Sequence, residues 1–385
     1  MAGAYSGKIT AGGGFAMERR KPAIKEILIC AVFIGIVGIF FVLNLIIPPP
    51  SVLASERRTP AKFPDFSMSS IMSGSFMTGF DDYAADRFVF RDGFRAVKAF
   101  FVLDIYQMSD KSGLYRSNAV GTGQFKRVDT TAFKQTSERI LSAAQTLDGL
   151  NMNIFYSLVP DKSIFAERFM PGFSIDAAEP ILNEVLGGFE YINVKDSLDA
   201  GMFYRTDLHW DQSQIRGVAS HILSSMGANP VLSEFPVNSL GEWSGVYAGQ
   251  LALPVAPDEL RYVDVPGLTA KYLNDRTLEF DDGPVYEVER FAGVDPYDVF
   301  LRGPQPVIVL ENPSADTDRS LYLFRDSFGS SLAPLMMEAY SRVTIIDLRY
   351  VNIQILGEFV EFEPGSDVLF IYSSQIFNNP TILQT

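Results

Sequence analysis

The chain has 385 residues, 47% of them hydrophobic, enough for one large core or two modest ones. Its formal net charge is −14. Residues 1–47 hold five Lys/Arg against two Asp/Glu, a net of +3, which leaves −17 for the remainder. Such a field repels nucleic-acid phosphate. A single cysteine, Cys30, excludes a cysteine zinc site and any disulfide within the chain, and two histidines argue against a His-rich metal centre.

The first element is a 21-residue run without charge, Ile27 to Ile47, whose one strongly polar member is Asn44. It is long enough to span a bilayer core. Arg19, Arg20, Lys21 and Lys25 precede it and Pro48-Pro49-Pro50 end it. That flank places residues 1–26 in the cytoplasm and everything after the run outside, as a single-pass anchor at 27–47. A cleaved signal peptide is the competing reading, with a site around Ser51-Val52-Leu53-Ala54-Ser55; the length of the run favours an uncleaved anchor. Met17 offers an alternative start just before the basic cluster.

Residues 48–65 read as a stalk of Pro, Ser and charge without a period. From Phe66 to Met108, phenylalanines at helical spacing predict one or two amphipathic helices, joined at Asp86 to Asp92 by an ion-pair network. Their aromatics read as core packing.

Beyond residue 130, helix and buried strand alternate. Helices are expected at Thr136–Leu150, at Glu179–Leu186 with Pro180 near its start, and at Asp211–Met226 with Asp211 and Gln214 as a capping box. Further helical patterns cover Phe328–Tyr340 and about Ile353–Phe362. Strands are expected near 153–159, 191–194, 307–310, 321–324, 343–346 and 368–372. The alternation predicts an α/β domain over 66–385, its mostly parallel sheet flanked by helices. Residues 230–304, rich in Gly and Pro, read as an insertion that could line a substrate cleft.

Two motifs carry chemistry. Tyr322 to Phe324 is an apolar strand that stops at Arg325-Asp326-Ser327, after which a small-residue helix begins. This geometry lifts the Ser327 hydroxyl out of a sheet edge and sets it among free helix N-terminal N–H groups that can hold an oxyanion. The ordinary alternative is that Asp326-Ser327 only caps the helix. Upstream, Asp207-Leu208-His209-Trp210 puts a base two residues from an acid that can orient it; here too, plain loop capping is the alternative. Ser327, His209 and Asp207 together can make an activated serine nucleophile. His221 falls inside a helical pattern and reads as structural. Trp210 could shield the site or stack on a sugar. Asp161 and Lys162 follow a strand's carboxyl end, the rim where open parallel sheets bind ligands, or else form a solvated turn. The Trp of Glu242-Trp243-Ser244 reads as buried.

Taken in order, the apolar anchor, the Phe-rich helix, Asp86…Phe90-Arg91-Asp92, Val159-Pro160-Asp161-Lys162-Ser163, Tyr204-Arg205-Thr206-Asp207-Leu208-His209-Trp210 and Asp326-Ser327-Phe328 resemble the DHHW protein family. That family is similar to the SGNH-hydrolase-like proteins of alginate O-acetylation, and the likeness covers roughly residues 65–375. It implies an SGNH-hydrolase-like fold and a triad of Ser327, His209 and Asp207. The activity implied is O-acetyl transfer or ester hydrolysis on an exported or cell-envelope polysaccharide, without metal or cofactor. A membrane protein delivering the acyl group would be a partner. Leu208 stands where the family has its first His, and Arg325 where a Gly precedes Asp-Ser. Arg325, Arg349, Tyr372, Trp210 and Lys162 are the candidate substrate or oxyanion contacts. The alternative from another class is a non-catalytic envelope scaffold or glycan-binding protein that keeps the fold.

Overall fold

The computed structural model describes residues 23–125, 127–167, 172–228, 233–274 and 276–385. The basic residues Arg19, Arg20 and Lys21, and Met17, lie outside them. Two compact units divide the chain, Met1–Leu53 with Thr59–Gly93, and Ala54–Arg58 with Phe94–Thr385.

In the first unit, helix α1 runs Ile24–Ile46, apolar and long enough to cross a bilayer. No residue of α1 is buried. Asn44 uses both ends of its amide: Nδ2 donates to the Phe40 carbonyl at 2.7 Å, and Oδ1 accepts the Val89 N–H at 3.0 Å. The Phe-rich stretch forms three helices rather than two, α2 (Met68–Met72), α3 (Ser75–Arg87) and α4 (Arg91–Phe100). Gly74 in the left-handed region separates the first pair, and Phe88-Val89-Phe90 separates the second. Phe63 packs edge-on against Phe76, Phe80 and Tyr83. Arg91 pairs with both Asp86 and Asp92, the expected network.

The second unit holds residues 54–58 and, from Phe94 on, the rest of α4; its first strands are an antiparallel pair, β1 (Leu114–Ser117) and β2 (Gly121–Gln124). Then come α5 (Thr130–Gln145), β3 (Asn153–Val159), α6 (Ile175–Leu186), β4 (Glu190–Tyr191) and α7 (Arg216–Ser225). A second antiparallel pair, β5 (Val237–Trp243) and β6 (Asp258–Val263), brackets α8 (Val246–Leu251). The chain continues through β7 (Thr269–Leu273), β8 (Phe280–Gly283), β9 (Val307–Glu311) and β10 (Ser320–Arg325). It ends with α9 (Ser327–Met336), β11 (Arg342–Ile346), β12 (Asp367–Ser373) and α10 (Ser374–Phe377).

Eight strands form one sheet in the order β4-β3-β12-β10-β11-β9-β7-β8. The run from β4 to β11 is parallel. The last three strands are antiparallel. Loop length accounts for one of the antiparallel pairs, β7–β8. Parallel neighbours need a crossover of a dozen or more residues, and α9 supplies one between β10 and β11. The β7–β8 connection, residues 274–279, is too short for that. Every residue of β10 and β12 is buried. Leu321, Leu323, Leu369 and Ile371 face the layer holding α7 and α9, while Tyr322, Phe324, Val368 and Phe370 face the layer holding α5 and α6. Continuous apolar runs are what a sheet covered on both faces requires.

Several boundaries differ from the sequence reading. Helix α5 starts at an Asp129 cap, six residues earlier than the apolar period indicates, because Asp129 accepts the N–H of Thr131 and of Ala132. Helix α6 starts after a Ser174 cap, so Pro180 lies inside it. Asp211 does cap, but onto a short 3₁₀ turn, Gln212–Gln214; the Gln214 amide goes to Ser213 and closes no capping box. Residues 353–358 form a 3₁₀ helix. The segment read as an insertion does not stay apart from the sheet: β7 and β8 extend it.

Candidate active site

The parallel run ends abruptly at Arg325, and α9 begins at Ser327. Asp326 makes the turn. Its Oδ1 accepts the Phe328 N–H at 3.0 Å and its carbonyl accepts the Gly329 N–H at 3.0 Å. Its Oδ2 accepts the Ser373 N–H at 2.8 Å, tying the turn to the end of β12. First-turn N–H groups have no intrahelical acceptor; those of Phe328 and Gly329 are satisfied by Asp326, and that of Ser327 has no acceptor among the described residues. Gly329 is required here, since a Cβ would stand 2.5 Å from the Arg325 Cβ. Ser327 is the one residue of α9 that is not buried.

Across from it lies the loop 203–210, closed by an isolated bridge between Phe203 and Trp210. His209 Nε2 stands 2.7 Å from Ser327 Oγ, and Nδ1 stands 2.7 Å from Asp207 Oδ1. An ionised carboxylate only accepts. Nδ1 therefore carries the proton, and the Nε2 lone pair receives the serine O–H. Asp207 is fully buried, which works to raise its pKa, yet His209, Arg57 and the Val246 N–H hold it well below the usual carboxylate range. Its Oδ2 accepts from Val246 N at 2.8 Å and from Arg57 Nη1 at 3.3 Å.

The loop is pinned from many directions. Asp258 accepts the N–H of Arg205 at 2.8 Å and of Thr206 at 2.7 Å, and the Thr206 hydroxyl as well. Thr206 Oγ1 accepts the Gly245 N–H at 2.8 Å. A Cβ on Gly245 would overlap the Cβ of Asp207 and the backbone of Thr206, so α8 can approach the acid only through a glycine. Tyr297 lies flat on the His209 ring, centroids 3.9 Å apart at 7°. Its hydroxyl and Trp210 Nε1 both donate to Ser331 Oγ, at 2.8 and 2.7 Å. A helix that carries Ser327 thus also steadies the face of the imidazole.

Four of the five expected substrate contacts are paired inside the protein, and the fifth, Tyr372, is buried. Lys162 is buried; its ammonium donates to the carbonyls of Tyr204 at 2.8 Å and Asp207 at 2.7 Å, and burial lowers its pKa to about 8 against the pull of Asp207 and Asp161. Trp210 is buried and spends its N–H on Ser331, so it shields rather than stacks on a sugar. Arg325 is buried beneath the turn, against Asp347 at 3.3 Å. Arg349 forks onto the same Asp347 at 2.8 and 2.6 Å. Tyr372 is buried in the α5/α6 layer with an unpartnered hydroxyl. Asp161 caps the 3₁₀ turn that carries Lys162 rather than facing solvent. His221 bonds the Asn193 carbonyl at 2.9 Å, a structural contact, and Trp243 is buried.

Sequence reasoning missed Arg57, Tyr297, Ser331 and Asp258. Arg57 lies in the segment read as stalk. Its guanidinium reaches Asp207, Asp295 at 2.7 Å and the Ser244 carbonyl at 3.0 Å, and stacks 5.0 Å over Trp243. Nothing local in the sequence marks these residues. Beside the loop is a cavity of about 470 Å³ whose lining includes Arg116, Asn118, Thr122, Arg205 and Thr206. No group of three metal-ligating side chains occurs among the described residues.

No protein-family model and no curated protein matches the chain. Solved structures do. A DHHW family protein from Eubacterium siraeum aligns at TM-score 0.57 and 15% identity, over 70% of this chain and 93% of its own. PatB1 from Bacillus cereus aligns at TM-score 0.54 and 17% identity, over 69% and 96%. The same protein with a sulfonyl adduct aligns at 0.54 and 15% identity, over 70% and 99%. The chain shares its SGNH-hydrolase-like α/β fold with these proteins.

Proposed function

We propose that the protein is a serine-dependent O-acyl transferase or esterase, acetyl being the group carried, that acts on an exported or cell-envelope polysaccharide. The observation that carries this reading is the unbroken relay from Asp207 through His209 to Ser327, with both links at 2.7 Å.

The chemistry follows from that relay. Ser327 Oγ attacks the acyl carbonyl while its proton passes to His209 Nε2. Asp207, ionised throughout, stabilises the imidazolium through Nδ1–H. The Ser327 N–H meets the developing oxyanion at the helix N-terminus. Collapse returns the proton to the leaving oxygen and leaves an acyl-serine. A sugar hydroxyl, or water, then gives its proton to Nε2 and attacks the ester, freeing Ser327. Chemically this scheme requires no metal. The cavity walled by Arg205 and Thr206, just before Asp207, offers room for part of an acceptor chain.

In this reading α1 is a single-pass anchor, residues 1–26 are cytoplasmic, and 66–385 work outside the cytoplasm. Acetyl thioesters are cytoplasmic, so a membrane protein would hand the acyl group across.

A sulfonyl fluoride probe tests the nucleophile, a fitting choice because PatB1 has been solved with a sulfonyl adduct. The full chain in detergent should be labelled on Ser327, and Ser327→Ala should not react. Equal labelling of both, or of neither, would favour the scaffold reading.

A further inference from the structure

The Phe88-Val89-Phe90 turn touches α1 at a height that fixes its surroundings. The Phe88 ring stacks on Phe40 with centroids 5.6 Å apart at 19°, and the Val89 N–H donates to Asn44 Oδ1 at 3.0 Å. Both partners lie in the last two turns of α1, which ends at Ile46. At about 1.5 Å per residue, Asn44 is roughly 3 Å and Phe40 roughly 9 Å inside the helix end. A helix of 23 residues is about 34 Å long, and a hydrocarbon core is about 30 Å thick. With α1 across the bilayer, Phe40 to Asn44 sit at the edge of the acyl chains, and so does whatever packs on them.

The turn is composed for that place. Val89 is buried against the helix, while Phe88 on one side and Phe90 on the other are 40% and 63% exposed. Phe90 has φ of 60°, a left-handed conformation that bulky residues rarely adopt. Two polar side chains beside the turn are paired internally, the Asn44 amide by Phe40 and Val89, and Arg91 by Asp86 and by Asp92, whose own carboxylate is 65% exposed and points the way back to water. A lipid environment demands such satisfaction.

We infer that the Phe88–Phe90 turn is a membrane-seated wedge: Phe88 and Phe90 lie among lipid acyl chains beside the outer end of α1, and the occupant of this apolar surface is the bilayer itself. The inference rests on α1 spanning the membrane, part of the reading proposed above. It adds a second, monotopic contact that no hydropathy window over α1 reveals.

Site-directed spin labelling of the full chain in phosphatidylcholine vesicles tests it. In a Cys30→Ser background, Phe90→Cys carries the label, and Ile36→Cys reports on the middle of α1. The label at 90 should collide readily with oxygen and poorly with a water-soluble nickel chelate, like a lipid labelled near the top of its acyl chain. The label at 36 should read deeper still. A deep 36 with a fully nickel-accessible 90 overturns the wedge and leaves the spanning helix standing. A nickel-accessible 36 removes the spanning helix, and the wedge with it. Since Cys at a strained position can reshape the turn, Phe90→Trp gives a conservative second measurement. Acyl-brominated lipids should quench its added fluorescence above the background of Trp210 and Trp243, and absence of extra quenching overturns the wedge.

Discussion

Ser327 and His209 meet at 2.7 Å, yet the protein positions them by different means. The serine side is regular structure. A six-residue buried strand, a capping aspartate and a ten-residue helix leave Ser327 no other place to be, and backbone geometry does nearly all of the work. The histidine side is a loop with one isolated bridge. It is held by groups from remote parts of the chain: the side chains of Arg57, Lys162, Asp258, Tyr297 and Ser331 and the backbone N–H of Val246. In the proposed mechanism a nucleophile on the sheet inherits the stability of the core, whereas a base on a loop depends on each strut, and catalytic geometry is sensitive to displacements near 1 Å. The two halves should therefore respond differently to substitution.

The largest effect should come from removing the members themselves. In the proposed mechanism Ser327→Ala, His209→Ala and Asp207→Asn should each lower kcat/KM on 4-nitrophenyl acetate by roughly three orders of magnitude or more. Combining them should add little, because a triad acts as a unit. Multiplying losses in the double and triple variants would show that the two halves work separately and would break the relay reading.

The contrast between the halves also explains what the sequence discloses. Tyr322 to Asp326 announces strand, stop and cap within a few residues, since regular structure is encoded locally by period and capping. The five parallel strands were legible for the same reason, and so was the order in which they alternate with helices. The Asp207–His209 contact was legible because the two residues sit two apart. Their supports were not. Arg57 is 150 residues from Asp207, Ser331 is 121 from Trp210, and Lys162 is 45 from the carbonyl it holds. Lys162, Arg325 and Trp210 looked like ligand contacts because their chemistry and position on the rim were right; their burial depends on tertiary packing that no local pattern carries. Nor did any pattern show that residues 54–58, within the apparent stalk, belong to the same compact unit as the site.

A strut should matter more for turnover than for substrate capture. Arg57→Ala removes one of the ionic partners of Asp207 and the link to Asp295 and Ser244. A hydrogen bond to a charged group contributes about 1.5–3 kcal/mol, so kcat should fall by roughly 10- to 100-fold, with KM nearly unchanged. Lysine should rescue only partly, because it lacks the planar fork that reaches three acceptors at once. An unaltered kcat in Arg57→Ala would mean that the loop keeps its geometry without this strut, and the contrast drawn above would weaken.

The smallest effect concerns pH and the Lys162 strut. Burial brings its pKa from the ordinary 10.5 to about 8, with Asp207 and Asp161 opposing the fall. Between those values the unfolded chain binds more protons at this position than the folded one. Stability therefore rises with pH across the window, by at most about 1.4 kcal/mol per pH unit for a single group. Below the folded value both states are protonated, and the contribution is flat. Lys162→Met removes the titration and leaves the carbonyls of Tyr204 and Asp207 without their donor. The variant should be less stable throughout, and its deficit should widen from pH 8 to 9.5 because only the parent gains. Urea midpoints of the two chains, measured in parallel, give that difference, and the buried tyrosines, common to both, cancel. A deficit that stays constant over the window would mean that Lys162 is no harder to charge in the fold than in water, and that its grip on the loop owes little to burial.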